Sequence, residues 1–414
     1  MRSRMSAYKR YIPLLDQGLV SGGNFLVGVL LTRSLGLDFY GEFTLLWLIV
    51  LFAASVQQAA ILNPLYTFAP AMKGEDKKDY LVDLTGFQWM FAAFAAVACY
   101  IILRLNAWLV PSWELTSSSL WLPFTLFTFL VHDFFRKLNY AKDKVLKSFL
   151  MDIMTYSLQV VSLLIVSHRG TLDLRAALII LGVSFSVSIL FSWRELTGAL
   201  LSGTKWSSII RKHWDFSKWL VGTALLQWFS GNIFILVAAA LLSPLAVGAI
   251  RIIQNIMGLL HVLFLVFENI VPLRASKIFH EDGLRPLGIY LGKMLVKGGL
   301  GTLAIGGMVA LFGKEIMDLL YEGQHIEFAY LLYGFAGLYV LVFTGTIMRF
   351  AIRTLEQTRL IFISYIISAL ASMLLAKPMI AHFGINGVII GLVLSQLIIQ
   401  AYFIYSLRTY WRKI

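Results

Sequence analysis

The sequence predicts an all-α polytopic membrane protein of twelve transmembrane helices with both termini cytoplasmic, on three observations. The first is composition: the 414 residues are 59% apolar and 14% charged, where a soluble protein carries roughly 45–50% and about 25%. The second is the recurrence of apolar runs near the roughly 20 residues that a ~30 Å hydrocarbon core requires. They fall at 11–32, 43–64, 81–103, 115–135, 146–167, 176–193, 218–242, 246–273, 288–312, 328–348, 360–380 and 385–407. The third is the sorting of Lys and Arg into alternate connections. One side collects 26 of the 35, the other holds 6, and three lie inside spans. Cytoplasmic connections collect such residues, and a wrong span count scrambles the alternation. The net charge of +13 is then mostly topology, and no nucleic-acid partner is expected.

The first run deserves its own justification, because Arg2, Arg4, Lys9 and Arg10 ahead of it mimic a signal peptide. It is longer than a signal h-region, contains Asp16 and offers no A-x-A site, so it reads as the first span. The longest connection, 194–217, separates spans one to six (1–193) from spans seven to twelve (218–414). Trp206, Ile210 and Trp214 recur every four residues in this basic stretch, the pattern of a helix lying in the cytoplasmic interface. The halves echo one another: "LTRSLGLDFYGEF" and "AAALLSPLAVGAI" both leave an apolar run through a tight turn to a glycine, Gly41 and Gly248, that opens the next. Such a weak repeat is the trace expected of two pseudo-symmetric six-helix bundles.

Several activities are excluded. No polar interval reaches the ~50 residues of a soluble catalytic domain. Cys99 is the single cysteine, so an intrachain disulfide and a CxxC metal site are ruled out. The chain carries no P-loop, H-E-x-x-H, G-x-S-x-G or Gly-rich dinucleotide turn. No enzyme, cofactor or metal site is therefore expected. A membrane glycan polymerase or ligase would need catalytic groups in a substantial external loop, and the longest outer connection, 104–114, offers one Arg and one Glu.

Charges within spans are costly, about 2.5–3.5 kcal/mol each on insertion scales, and so mark functional cavities. In span eight, at 100° per residue, Arg251, Gln254, Asn255, His261, Glu268 and Asn269 share one arc of about 140° opposite an Ile, Leu, Val, Met and Phe face. That is the pattern of a helix lining a wet cavity. Span one carries Gln17, Ser21, Asn24 and Thr32 on one side, and span seven adds Gln227, Ser230 and Asn232. Lys297 lies about 12 Å into span nine, where Glu268 is a candidate ion-pair partner. Asp83, Asp133 and Asp152 read as interfacial, and His132–Asp133 as a solvated loop cluster. Asp16 is kept as a possible proton or cation site. The interior charges Arg251, Lys293 and Lys297 are positive, which favours an anionic substrate, and Arg suits bidentate phosphate contact.

Three stretches, "LLDQGLVSGGNFLVGVLLTRSLGLDFYGEFTL", "LLSPLAVGAIRIIQNIMGLL" and "HFGINGVIIGLVLSQ", carry a resemblance that covers nearly the whole chain. The sequence resembles the oligosaccharide (O-antigen and polysaccharide repeat-unit) flippases of the multidrug/oligosaccharidyl-lipid/polysaccharide exporter superfamily. The resemblance implies two six-helix bundles around a central cavity lined by spans 1, 2, 7 and 8. It also implies alternating access that moves a polyprenyl-diphosphate-linked oligosaccharide to the outer leaflet of the bacterial inner membrane during surface polysaccharide and lipopolysaccharide synthesis. Possible partners besides the bilayer are the polysaccharide polymerase and chain-length machinery. A basic residue follows the span-eight glycine in such proteins, and Arg251 stands there. Twelve rather than fourteen spans make a cell-wall precursor a less fitting cargo. On this reading Arg251, seconded by Lys297, offsets the diphosphate, and Asn24, Gln227, Gln254 and Asn255 bond sugar hydroxyls. The alternative is a cation-coupled multidrug exporter of the same superfamily, with Asp16 or Glu268 as the coupling acid.

Overall fold

The computed structural model describes residues 2–109, 119–190, 206–258 and 260–411. They form fourteen α-helices: α1 Arg2–Gln57, α2 Asn63–Phe68, α3 Gly74–Leu109, α4 Leu122–Ala141, α5 Val145–His168, α6 Leu174–Ile189, α7 Trp206–Leu241, α8 Pro244–Met257, α9 Leu260–Asp282, α10 Leu284–Leu311, α11 Gly313–Tyr321, α12 Leu331–Thr354, α13 Thr358–Phe383 and α14 Ile385–Trp411. Eight apolar helical stretches are long enough to cross a membrane, and one of them, Ile12–Ala71, has 60 residues, enough for two crossings at ~20 residues each. Large apolar side chains such as Phe94, Leu374 and Tyr405 stand exposed on the helix surfaces. Water would penalise this, whereas lipid tails solvate it.

One helix break, at Gly36, sits where the sequence reading expected a turn, and two irregularities sit inside spans expected to be continuous. Gly36 interrupts α1 with φ 79°, ψ 173°, a left-handed conformation that costs glycine little and other residues much. Residues Gln58–Leu62 form a π-helical stretch between α1 and α2. The uninterrupted span eight expected over 246–273 is corrected: α8 ends at Met257 and α9 begins at Leu260. Around Gly258 the bonds tighten: its N–H is shared between Gln254 O at 2.8 Å and Asn255 O at 3.2 Å, and its carbonyl accepts from His261 N at 3.0 Å, the last two at the three-residue spacing of a tighter turn. A single angular count across both helices therefore does not hold. Arg251, Gln254 and Asn255 belong to α8, and His261, Glu268 and Asn269 to α9.

Two compact units divide inside α7: Met1–Leu225 and Leu226–Ile414. Residues 191–205, which hold the first part of the expected linker, lie outside the described residues. Residues 206–217 are the opening turns of α7. Their inner face, Ile209, His213 and Ser217, is buried, and Ile210 and Trp214 stand exposed. His213 accounts for the assignment of these turns to the first unit. One ring nitrogen, Nε2, lies 3.0 Å from Tyr80 Oη and the other, Nδ1, 3.1 Å from the Ala60 carbonyl, within a cage of Phe68, Tyr80 and Phe87.

Within the second unit, small polar residues tie α7, α13 and α14 together. Ser230 bonds Ser368, and Ser372 lies 3.1 Å from Ser395, contacts that replace the absent hydrophobic drive between helices in lipid. Tighter still is Gly387 in the first turn of α14. A Cβ there would overlap the backbone carbonyl of Met379 in α13, and a backbone atom has no rotamer to yield. Gly387→Ala is expected to destabilise the second unit by about 3 kcal/mol, the upper range for overpacking. Thermal unfolding of the detergent-purified protein checks this, and an unchanged midpoint would refute the close approach.

Candidate functional site

The polar interior is described unit by unit. In the first unit α4 presents His132, Arg136 and Tyr140 four residues apart on one face. Asp16 of α1 and Asp152 of α5 meet that face, and both are fully buried. Arg136 Nη2 donates to Asp16 Oδ2 at 2.9 Å and Nε to Asp152 Oδ2 at 2.5 Å. Tyr140 Oη donates to Asp16 Oδ2 at 2.5 Å, and His132 Nε2 lies 3.4 Å from Asp152 Oδ1. Two carboxylates thus share one guanidinium, with His132 packed beside Asp152. Asp16 Oδ1 is buried with no hydrogen-bond partner. Beside this cluster Lys137 bonds Asp133 at 2.9 Å and Gln58 at 2.8 Å, and Asn24 Nδ2 donates to Tyr156 Oη at 3.2 Å.

These contacts correct the sequence reading in particulars. Asp152 and Asp133 are buried among the helices, and His132, 3% exposed, is no solvated loop residue. Arg136, placed by the charge count in a cytoplasmic connection, is drawn into the bundle by its two carboxylates. The signal was legible as the four-residue spacing of 132, 136 and 140, the same spacing that was read in span eight.

The second unit is built differently. Arg251 is half-buried, and its guanidinium makes one long bond, 3.5 Å to Gln254 Oε1. Asn255 is half-buried beside it, and Gln227 is exposed on α7. In α9, His261 Nε2 lies 3.4 Å from Tyr339 Oη of α12, and Glu268 is exposed. The Glu268–Lys297 pair does not form: neither residue has an ion-pair partner within 4 Å among the described residues. The reason lies in α10, which turns Gly298 toward Phe343 and Phe267 and so swings Lys297 onto its exposed side. The structure therefore groups Arg251, Gln254 and Asn255 on α8, leaves Lys297 apart from them, and puts Asp16 and Asn24 in the other unit. Among the described residues, no group of three or more His, Cys, Asp or Glu is set to hold a metal ion.

No family model and no curated protein matches the chain. Solved structures do. An inward-facing multidrug resistance MATE family transporter of the MOP superfamily matches at TM-score 0.74 over 92% of each chain, with 14% identity. The lipid II flippase MurJ in an inward closed conformation matches at 0.68 over 97% of this chain and 87% of that one, with 12% identity. This chain shares the fold of these two structures. The Vibrio cholerae MATE transporter VcmN in its bent form matches at 0.58 over 98% of both chains, with 15% identity. At such identities the likeness is one of fold, shared by proteins titled as drug transporters and as a lipid-linked flippase.

Proposed function

We propose that this MOP-type chain is a flippase, not an enzyme, with twelve spans, cytoplasmic termini and a place in a bacterial inner membrane. It carries a polyprenyl-diphosphate-linked oligosaccharide from the cytoplasmic to the outer leaflet by alternating access, feeding surface polysaccharide synthesis. The observation that carries this reading is the contrast in charge pairing. The carboxylates of the first unit, Asp16 and Asp152, are held by Arg136, whereas among the described residues Arg251 and Lys297 of the second unit have no carboxylate within 4 Å. Unpaired cations in a lipid-embedded unit suit an anionic cargo, and a guanidinium suits a phosphate. Gln254 and Asn255 stand on the same helix as Arg251 to bond sugar hydroxyls, with Gln227 of the same unit as a further donor.

The second reading is a cation-coupled multidrug exporter, favoured by one specific feature. Asp16 Oδ1 is a buried carboxylate oxygen without a donor, the kind of group that takes up a proton. Glu268 is the weaker coupling acid because it is exposed. The two readings separate in proteoliposomes holding the full chain. A fluorescently tagged polyprenyl-diphosphate oligosaccharide, scored by its accessibility from one side, is expected to equilibrate between leaflets faster than in protein-free vesicles. No facilitation, together with extrusion of an organic-cation dye under an imposed proton gradient, would replace the flippase reading with the exporter.

A further inference from the structure

The charge count assigned Arg349 to a connection, yet it lies inside α12, five residues before the helix ends at Thr354. An arginine at that depth ordinarily pairs with an acid or faces a polar cavity. Among the described residues Arg349 has no carboxylate within 4 Å, and it feels the charge of Glu268 only across space. Of its five N–H donors one is used, Nη2 to Thr346 Oγ1 at 2.6 Å. None of its nitrogens is both buried and unsatisfied, so the spare donors open onto accessible space.

That space has a defined wall. Gly345 lies one turn earlier, and the point where its Cβ would stand is 3.8 Å from each of Arg349 Nη1, Gln396 Oε1 and Gln400 Nε2. Gln400 is held at both ends of its amide, Nε2 donating to Leu341 O at 2.6 Å and Oε1 accepting from Thr344 at 3.1 Å, and so acts as a fixed buttress. Gln396, half-buried one turn before it on α14, makes no hydrogen bond among the described residues. Below them Ile352, Ile361, Ile399 and Phe403 lock α12, α13 and α14 into one apolar floor. Arg353 follows Arg349 on the same helical face and is exposed.

We infer that Arg349, with the free amide of Gln396, forms an oxyanion site at the Arg353 end of α12, distinct from Arg251, that takes the phosphate groups of a lipid headgroup. The inference rests on the flippase reading and adds to it a second station for the diphosphate. Alternating hairpins α9–α10–α12 put the far end of α9 and this end of α12 on one side. Arg251 precedes α9 and stands at the other end of that helix. On the proposed topology Arg349 is the cytoplasmic station, where the headgroup is first held. Its planar fork fits two phosphate oxygens at once, and the missing side chain at Gly345 leaves them room.

The test uses the full chain carrying Cys99→Ser and Arg353→Cys, which leaves one thiol a turn from Arg349 with Gln396 intact, in phosphatidylcholine vesicles. Rate constants are measured for an anionic and a cationic methanethiosulfonate of similar size. With Arg349 present the anionic reagent is expected to be favoured. Arg349→Gln is expected to lower the anionic-to-cationic ratio at least five-fold, and Arg349→Lys to preserve it. Inorganic pyrophosphate and farnesyl diphosphate are expected to slow labelling at least five-fold in the Arg349 form and not in Arg349→Gln. An unchanged ratio, or equal protection in both forms, would overturn the site. Protection by phosphatidylglycerol equal to that by farnesyl diphosphate would overturn its assignment to the diphosphate and make it a general lipid-phosphate site. Oligosaccharide flipping without any protection refutes this inference alone. Protection without flipping refutes the flippase reading and leaves the site standing.

Discussion

Arg136→Gln is expected to leave the first unit unable to hold its native packing, at a cost of about 3–5 kcal/mol, the range for removing one partner of a buried ion pair. The size follows from what remains. Asp16 and Asp152 are both fully buried, and without the guanidinium they have only Tyr140 and His132 for company. Two uncompensated carboxylates then face each other where water does not reach. The loss should appear as a collapse of monodisperse protein on size exclusion or a large fall in thermal midpoint. Asp16→Asn placed on top of Arg136→Gln removes one of the stranded charges and is expected to restore part of the stability. A double variant no better than the single would show that packing, rather than charge, holds the site.

Arg251→Ala is expected to act in the opposite way, sparing the fold and removing transport. Its guanidinium makes a single 3.5 Å bond to Gln254 on a half-exposed helix face, so little stability depends on it. If it holds the diphosphate, the lost charge-assisted bonds, about 1.5–3 kcal/mol, correspond to roughly a ten- to hundred-fold slower flipping. Arg251→Lys keeps the charge without the fork and is expected to fall between the two. Flipping at the wild-type rate in Arg251→Ala, at matched reconstitution, would end the proposal for this residue.

Much of this was legible in residue order. Mean hydropathy and run length exposed a chain made of apolar helices, because a helix must reach across lipid in about 20 residues whatever its neighbours do. The span-eight pattern found Arg251, Gln254 and Asn255 together because they share one unbroken helix. The same count failed across Gly258, since periodicity has no term for a tightened turn. It also failed for Arg136 and Arg349: sorting arginines by chain position treats a helix's last turns as loop, and nothing in the order of residues says that Asp16 and Asp152 approach α4. The four-residue spacings 132/136/140, 349/353 and 396/400 were visible, but which side faces a neighbour was not.

By itself the sequence determined the helical, apolar class of the protein and where along those helices its charges fall, since these depend on composition and local period. Tertiary structure alone decided how those charges are spent. Asp16 is neutralised by an arginine 120 positions away in the chain, while Arg251 and Arg349 are left without an acid. Coulomb attraction falls with distance in space, and distance in space is set by helix packing rather than by position along the chain.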